Sequence, residues 1–362
     1  MMRRYAHRPY TALLLFTALL YGAQTPIATV IAHAAEPPAY EPHVALILPL
    51  ASPSFARHAD AVRQGFAAAA KVAGKTAPAI RVYPVNEDTL NVLTIYEQAI
   101  ESGAQLVVGP LTRNGVAALA ASTLVTVPTL ALNMLEASSP HPARLYLFGL
   151  SVELEARQIA RLALSDGRRS GFVIGDGTAL SKRMQQAFRA EFARQGGTLV
   201  AEFSYGADQV SLSKIRNAAG LGVADMAFLA LDYSRASTAR PYLGNSLIIY
   251  ATSQVNSGQG AVAVRALNSV RFVDMPWLLQ IDHPAVMVYP RPRFGDTLDF
   301  DRLYALGIDA FRIGLELLRR NQDPELDGVT GRIRLTRGQQ FIRELTAAKF
   351  EDGKTIVLEA PR

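Results

Sequence analysis

The sequence contains no cysteine in 362 residues. This excludes a disulfide framework, a thiolate zinc site, a thiol nucleophile and lipidation of an N-terminal cysteine. Histidines are few as well. Beyond the first 35 residues they are His43, His58, His141 and His283, and none lies three or four positions from another. We therefore expect no metal site and no cofactor.

A strong excess of positive or negative charge is also missing. The formal net charge is +6, and the N-terminal segment described below accounts for three of the positive charges, which leaves +3. Lysine and arginine are scattered among acids instead of forming one basic stripe, which argues against a nucleic-acid partner. Apolar residues make up 49% of the chain and low-complexity runs are absent. A chain of this length and composition can form two α/β lobes, each with its own core.

Long apolar runs are confined to the N-terminus. Arg3, Arg4 and Arg8 form a basic start, residues 12–20 are apolar, and residues 32–34 offer a small-x-small cleavage site. This is the pattern of a secretory signal peptide, and the apolar run is shorter than the roughly 20 residues of a membrane span. We expect a signal peptide over residues 1–35 and export to the periplasm, with no transmembrane segment after cleavage. An uncleaved anchor is the alternative.

After a proline-rich linker at residues 36–42, short apolar runs alternate with amphipathic stretches. Residues 44–50 are almost continuously apolar, as is typical of a strand buried on both faces of a parallel sheet. The alternation predicts an α/β fold of two doubly wound parallel-sheet lobes. We assign lobe 1 to residues 43–148 and lobe 2 to 149–274, and we expect 275–362 to return largely to lobe 1.

The end of the second lobe should connect back to the first. We predict an extended piece at residues 270–277, a long helix at about 303–320, and an edge hairpin formed by 331–335 and 354–359. Chain crossings near Phe148, Asp274 and a later point predict a three-stranded hinge. A hinge of that kind leaves a cleft between the lobes.

Ligands of open α/β sheets bind beyond the carboxyl ends of the strands. The candidate ligand-binding residues are the polar ones in those loops. They are Ser52, Ser54, Thr112, Arg113, Asn133, Asp232, Ser253 and Asp274. Each of them could instead cap a helix or a turn.

The loop at residues 109–115 has the glycines of a phosphate-binding turn, but no Gly-Lys-Ser/Thr follows it. A tight turn capped by Thr112 or Asn114 is the preferred interpretation. Residues 175–177 likewise lack the third glycine of a dinucleotide-binding turn.

Catalytic patterns are missing. No Gly-x-Ser-x-Gly elbow occurs, and no spacing singles out a pair of carboxylates. Asp296, Asp299 and Asp301 precede a predicted helix, where carboxylates favour capping over metal binding. We therefore predict that the chain is not an enzyme.

Six stretches of the sequence match one known family. They are VALILPL (44–50), VRQGF (62–66), VGPLT (108–112), VPTLALN (127–133), YALGIDAF (304–311) and LDGVTGRIRL (326–335). In these stretches the chain resembles the LppC family, outer-membrane lipoprotein activators of bifunctional penicillin-binding proteins. The conserved part of that family has the type I periplasmic-binding-protein fold, and the resemblance covers nearly all of residues 43–359.

The resemblance implies a non-catalytic periplasmic module that binds a bifunctional penicillin-binding protein and stimulates peptidoglycan cross-linking. Two features depart from the family. The lipobox cysteine is absent, and the helical-repeat domain of longer relatives has no room here. We expect a soluble periplasmic relative, with outer-membrane association left open; a relative that regulates something else is the alternative.

Two other functions compete with this one. A periplasmic solute receptor shares the fold and closes on an amino acid or another small ligand, which a Ser/Thr-rich loop after the third strand holds. Here that loop offers Thr112 and Arg113, and the arginine could hold an anion in a bidentate manner. An envelope enzyme has only unassigned carboxylates in its favour.

Overall fold

The computed structural model describes residues 41–136, 139–258, 260–295 and 297–359. The predicted signal peptide at residues 1–35, most of the linker at 36–42, and Asp296 lie outside the described residues.

The first sheet has five parallel strands in the order β2-β1-β3-β4-β5. They are β1 (His43–Leu48), β2 (Ile80–Pro84), β3 (Ala104–Val108), β4 (Thr129–Ala131) and β5 (Leu145–Leu147). The helices between them are α1 (Ala56–Ala73), α2 (Thr89–Glu101) and α3 (Arg113–Ala121).

Strand β1 explains why its sequence is continuously apolar. Val44 and Leu46 pack into the core that contains α1, whereas Ala45 and Ile47 pack into the core that contains α2 and α3. Both faces of the sheet are therefore covered by helices, so neither face of the strand can be polar. The doubly wound arrangement predicted from the alternation is confirmed for this lobe.

The second sheet has seven strands in the order β15-β14-β10-β9-β8-β6-β7. Five are parallel: β6 (Ser170–Gly175), β7 (Thr198–Ser204), β8 (Met226–Ala230), β9 (Ile248–Ala251) and β10 (Val270–Asp274). The antiparallel strands β14 (Thr346–Glu351) and β15 (Lys354–Val357) extend the β10 edge. The helices of this lobe are α4 (Val152–Ser165), α5 (Ala179–Arg194), α6 (Gln209–Gly220), α7 (Tyr233–Ala239) and α8 (Ala261–Ala266).

The remaining elements follow β10. They are α9 (Pro276–Leu279), α10 (Pro284–Met287), α11 (Asp299–Leu318), and a three-stranded sheet of β11 (Glu325–Gly328), β12 (Gly331–Leu335) and β13 (Phe341–Glu344). Helix α11 packs against α1 and β3, so it joins the first lobe, whereas β14 and β15 belong to the second sheet.

Two predictions for this region are wrong. The extended piece expected over residues 270–277 ends at Asp274, because Pro276 starts helix α9. Residues 331–335 and 354–359 do not pair as one hairpin. The first stretch forms β12 between β11 and β13, and the second contains β15, whose partner is β14.

The chain crosses between the lobes three times. The crossings lie between β5 and α4, directly after β10, and between β13 and β14, so the three-stranded hinge is confirmed. Leu345 is the single residue that separates β13 from β14.

Helices α1 and α11 cross at two glycines. A Cβ atom on Gly307 would lie 2.1 Å from the carbonyl oxygen of Val62, and one on Gly65 would lie 1.9 Å from that of Tyr304. Real Cβ atoms do not approach backbone oxygens so closely, so each glycine allows the backbone of one helix to contact that of the other. Phe66 and Phe311 then pack edge to face beside the crossing, with ring centroids 5.2 Å apart.

Substituting Gly307 by alanine should separate the two helices. Helix propensity favours the alanine by about 1 kcal/mol, but the Val62 backbone cannot move without unpacking α1. We expect a net loss of about 2–4 kcal/mol in the free energy of unfolding, measured by urea denaturation.

Gly314→Ala is the matched control, because it lies in the same helix and its Cβ would meet only side-chain atoms, Leu106 Cδ2 at 3.0 Å and Val108 Cγ2 at 3.8 Å. Its free energy of unfolding should stay within about 1 kcal/mol of the wild type. Equal values for the two variants would show that the α1–α11 contact does not depend on Gly307.

Candidate functional site: the interlobe cleft and its hinge

A cavity of about 500 Å³ opens at the carboxyl ends of the first-sheet strands. Its apolar wall includes Leu111, Leu132 and Leu150, together with Leu303 and Leu306 of α11. Phe55, His58, Glu87, Thr112, Arg113, Asn114 and Asn133 complete the lining. Three of the eight predicted ligand-binding residues, Thr112, Arg113 and Asn133, therefore line one cavity.

The polar groups of Thr112 and Asn133 already have protein partners. The Thr112 hydroxyl accepts a hydrogen bond from the Gly115 amide at 3.2 Å, which confirms it as the N-cap of α3. The Asn133 side chain donates to the Leu111 carbonyl and accepts from the Met134 amide, each at 2.9 Å. These two side chains hold the loops of the cleft in place.

Ser52 lies next to the same cavity and is buried. Its hydroxyl donates to Glu87 Oε1 at 2.5 Å and accepts from the Phe55 amide at 3.0 Å. Hydrogen bonds from Ser52 and then Ser54 hold the pKa of Glu87 below its usual value. The two predicted serines thus hydrogen-bond to the exposed carboxylate of Glu87 in the first lobe.

Arg113 forms a bridge between the lobes. Its guanidinium lies 3.3 Å from Glu153 Oε1 at the start of α4, and Arg183 Nε of α5 approaches the same oxygen at 3.0 Å. Burial disfavours the ionised form of Glu153, but its own backbone amide, the Ser151 hydroxyl and the two guanidinium groups outweigh it, so the pKa of Glu153 is lowered. We call this Arg113–Glu153–Arg183 group the interlobe bridge.

Asp232 lies in the second lobe, where it caps α7 by accepting from the Arg235 amide at 2.9 Å. The Arg235 guanidinium pairs with Asp232 and also lies 3.3 Å from Asp176. The carboxylate of Asp232 is therefore engaged within its own loop.

Ser253 and Asp274 are buried at the hinge instead of facing the cleft. Asp274 Oδ2 pairs with Arg302 of α11 at 2.8 Å and accepts from Asn256 at 2.9 Å. The Arg302 guanidinium also donates to the backbone carbonyls of Ser253, at 3.2 Å, and Asn256, at 3.0 Å. The arginine thus connects the long helix of lobe 1 to two loops of lobe 2.

A second acid and a second arginine complete the group. Glu155 Oε2 accepts from the Ser253 hydroxyl at 2.7 Å and from its amide at 3.2 Å, and Glu155 Oε1 lies 3.9 Å from Arg343. Asp274, Arg302, Glu155 and Arg343 are all buried, so two negative and two positive charges offset one another inside the protein. We call these four residues the hinge cluster.

Each crossing contributes one member of the hinge cluster. Glu155 follows the first crossing in α4, Asp274 ends β10 at the second, and Arg343 lies in β13 just before the third. Gln158 reinforces the third crossing, because its side chain donates to the Leu345 carbonyl at 2.7 Å and accepts from the Leu345 amide at 3.0 Å. The hinge is therefore fixed by charge pairs and by hydrogen bonds to the backbone.

Burial and charge shift the pKa values in this cluster in different directions. Burial raises the pKa of Glu155, with Arg343 opposing the shift and the Asp274 carboxylate adding to it. Burial lowers the pKa of Arg343, which Glu155 partly offsets. Burial also works to lower the pKa of Arg302, but the Asp274 carboxylate outweighs it and the net shift is upward. Arg302 stays charged, so Asp274 keeps its partner.

Sequence reasoning missed Glu155, Arg302 and Arg343. All three lie in amphipathic elements, where a charged residue normally marks the solvated face. Glu155 and Ser253 are 98 positions apart in the chain, so only the tertiary structure brings them together. Ser253 and Asp274 could be found from the sequence because Ser253 follows a strand and Asp274 ends one.

With the geometry established, the chain can be compared with known proteins. The model of the family described as "LppC putative lipoprotein" matches residues 38–353. The chain belongs to the LppC family. The resemblance predicted from the six sequence stretches is confirmed.

Two named relatives show how much of the family's length is present. The penicillin-binding protein activator LpoA of Pantoea ananatis is 26% identical over 76% of this chain and 47% of its own length. The protein of the same name from Yersinia pseudotuberculosis is 25% identical over 87% of this chain and 61% of its own length. This LppC chain thus spans about half the length of the curated relatives it matches.

Solved structures give the same fold. The C-domain of LpoA from Haemophilus influenzae, described as a regulator of PBP1A, has a TM-score of 0.74 at 23% identity and covers 87% of this chain and 99% of that domain. A Chromobacterium violaceum protein described as a "putative branched-chain amino acid ABC transporter" has a TM-score of 0.73 at 38% identity, over 84% and 99% of the two chains. The type I periplasmic-binding-protein fold is confirmed.

The stretches that identify this LppC protein have clear structural roles. YALGIDAF (304–311) supplies Gly307 at the α1–α11 crossing and the buried Asp309. Asp309 Oδ2 accepts from the amide and the hydroxyl of Thr330, each at 2.7 Å, within LDGVTGRIRL (326–335). The two motifs therefore bind each other.

Two further properties concern only the described residues. No helix among them has both the length and the apolar content needed to cross a membrane. Within the same ranges, no three or more His, Cys, Asp or Glu side chains are arranged to hold a metal ion.

Removing Arg302 should destabilise the LppC fold strongly. Arg302→Met keeps the bulk of the side chain but leaves the Asp274 carboxylate buried without its ion pair. We expect a loss of about 3–5 kcal/mol in the free energy of unfolding, measured by urea denaturation. The double variant Asp274→Asn with Arg302→Met should lose less than the two single variants together.

Arg319→Met is the matched control. Arg319 follows the same helix, pairs with Glu316 at 2.7 Å and is 63% exposed, so its loss should cost less than about 1 kcal/mol. Comparable losses for Arg302→Met and Arg319→Met would contradict a stabilising role of the hinge cluster.

The raised pKa of Glu155 predicts a pH dependence of stability. A carboxyl group whose pKa is higher in the folded than in the unfolded state stabilises the fold below its usual pKa, and this contribution is lost as the pH rises through the raised value. Glu155→Gln removes this titration and keeps an acceptor for Ser253. Between about pH 5 and pH 8, the wild type should therefore lose stability relative to this variant.

Glu191→Gln serves as the comparison in these pH measurements. A hydrogen bond from Arg194 is the main cause that lowers the pKa of Glu191. The stability that Glu191 contributes is lost only as the pH falls through that lowered value, so the difference between the wild type and Glu191→Gln should stay constant over the same pH range. A constant difference for Glu155→Gln as well would refute the upward shift of the Glu155 pKa.

Proposed function

We propose that this LppC-family chain is a non-catalytic regulator of a peptidoglycan synthase, and that it activates a bifunctional penicillin-binding protein through protein–protein contact. The proposal is supported by the relatives named penicillin-binding protein activator LpoA, which match 76% and 87% of this chain. We propose the same activity for this chain, which spans about half the length of those proteins.

The geometry of the cleft favours contact through the outer surface over closure on a solute. A solute receptor opens and closes about its hinge. Here the hinge cluster and the Gln158–Leu345 pair connect the crossings, and the interlobe bridge spans the two lobes. Thr112 and Asn133 use their hydrogen-bonding groups within the protein. The single observation that carries this part of the proposal is the buried hinge cluster.

The setting of this function is the periplasm. Residues 1–35 have the signal-peptide pattern described above, and peptidoglycan cross-linking takes place outside the cytoplasmic membrane. In this proposal the exported protein needs no cofactor, and its partner is the synthase itself.

The direct test is a reconstitution with a bifunctional penicillin-binding protein from the same bacterium. The mature protein should co-purify with the synthase at low salt and raise the cross-linked fraction of its peptidoglycan product. A solute receptor of the same fold is the control for nonspecific effects. Failure to co-purify, together with an unchanged cross-linked fraction, would refute the proposal.

A thermal-shift screen tests the receptor alternative. A ligand that binds only the folded state raises the melting temperature by mass action. The regulator proposal predicts no shift with free amino acids. A reproducible increase with one of them would favour the solute-receptor function instead.

A further inference from the structure

A second and larger cavity, of about 680 Å³, lies beside the interlobe bridge. One wall comes from lobe 1. The others come from the first half of α4 and the middle of α5 in lobe 2, and from the turn before β13. The volume falls within the roughly 300–1,000 Å³ of small-molecule sites. Arg113 is the only one of the eight predicted ligand-binding residues among those that line it. We call it the α4–α5 groove.

The groove carries hydrogen-bonding groups that the protein does not use. Arg157 of α4 lines it, and no ion pair or side-chain hydrogen bond of Arg157 is found within the described part of the chain. His141 Nδ1 donates to the Ser139 carbonyl at 3.2 Å. In the neutral ring this leaves Nε2 as an acceptor, and Nε2 is buried with no hydrogen-bond partner among the described residues. The groove thus offers a cationic donor, Arg157, whereas Nε2 of His141 is closed off from the groove.

The charge of the lining favours an anion. Three arginines, Arg113, Arg157 and Arg183, face two acids, Glu136 and Glu153. Glu153 is already held by Arg113 and Arg183 in the interlobe bridge. Arg157 therefore provides the positive charge that the protein itself does not neutralise, and a guanidinium binds a carboxylate in a bidentate geometry.

The rest of the lining suits a peptide. Leu147, Leu154 and Ala187 give an apolar surface for small side chains. The amides of Gln186 and Gln340 also line the groove, and each offers a donor and an acceptor, as a peptide unit does.

We infer that the α4–α5 groove binds a short peptide whose terminal carboxylate pairs with Arg157. This site shares only Arg113 with the lining of the cavity at the strand ends. It does not depend on the proposed role in synthase activation, so either can fail without the other.

The binding test uses a defined pair of peptides and the full mature chain. The probes are the tetrapeptide acetyl-Leu-Ala-Leu-Ala with a free carboxyl terminus and the same peptide as its terminal amide, titrated by isothermal calorimetry. The free acid should bind, and the amide should bind at least about tenfold more weakly, because it lacks the charge-assisted hydrogen bonds.

Arg157→Gln and Arg161→Gln form the matched pair of variants. Arg161 lies one turn further along α4, is 50% exposed and pairs with Glu191 at 3.4 Å, outside the groove lining. Arg157→Gln should weaken binding of the free acid about tenfold or more and leave the melting temperature unchanged, because Arg157 pairs with no described residue. Arg161→Gln should bind the peptide as the wild type does.

Three results would overturn the inference. They are no binding of the free acid, equal binding of the acid and the amide, and equal effects of Arg157→Gln and Arg161→Gln. As an additional variant, Asn114→Ala alters only the cavity at the strand ends. If it abolished binding while Arg157→Gln did not, the peptide would bind in that cavity and not in the groove.

Discussion

The pairing of Asp274 with Arg302 inside the hinge is the interaction on which the relation between the two lobes depends. A buried charge is expensive to remove from water, and its partner offsets that cost only when the geometry is good and the remaining donors are satisfied. Both conditions hold here. The ion pair is 2.8 Å long, and the arginine also donates to two backbone carbonyls. Glu155 and Arg343 extend the arrangement so that all three crossings carry a charged member.

The fold provides a cleft, yet the polar residues at the strand ends hold loops, cap helices or join the lobes. Function is then expected at surfaces such as the α4–α5 groove, where Arg157 is unpaired within the described residues, and not at the strand ends. The same fold can serve transport or regulation, because function depends on the site and not on the fold.

Much of the fold could be predicted from periodicity. The continuously apolar β1 indicated a sheet covered on both faces, and the alternation of strands and helices predicted two doubly wound lobes. The three-stranded sheet of β11, β12 and β13 was not anticipated, because its short strands resemble a hairpin edge. Helix α9 was missed because the apolar residues before Pro276 continue the strand pattern.

The site was less predictable for a physical reason. Local sequence shows where a strand ends, so Ser253 and Asp274 could be found. It does not show whether a polar residue there faces a cleft or a neighbouring element. Glu155, Arg302 and Arg343 come together only through the three crossings, and each looks like a solvated residue in its own helix or strand.

A fixed relation between the lobes requires that the hinge cluster hold them in one arrangement. Because the chain has no cysteine, spin labels can be attached to Leu90→Cys in lobe 1 and Leu221→Cys in lobe 2, both highly exposed positions. Double electron–electron resonance would then measure the distance between the lobes. We predict one narrow distribution that free amino acids do not change. Two populations in the wild type, or a shift on addition of an amino acid, would contradict a fixed hinge.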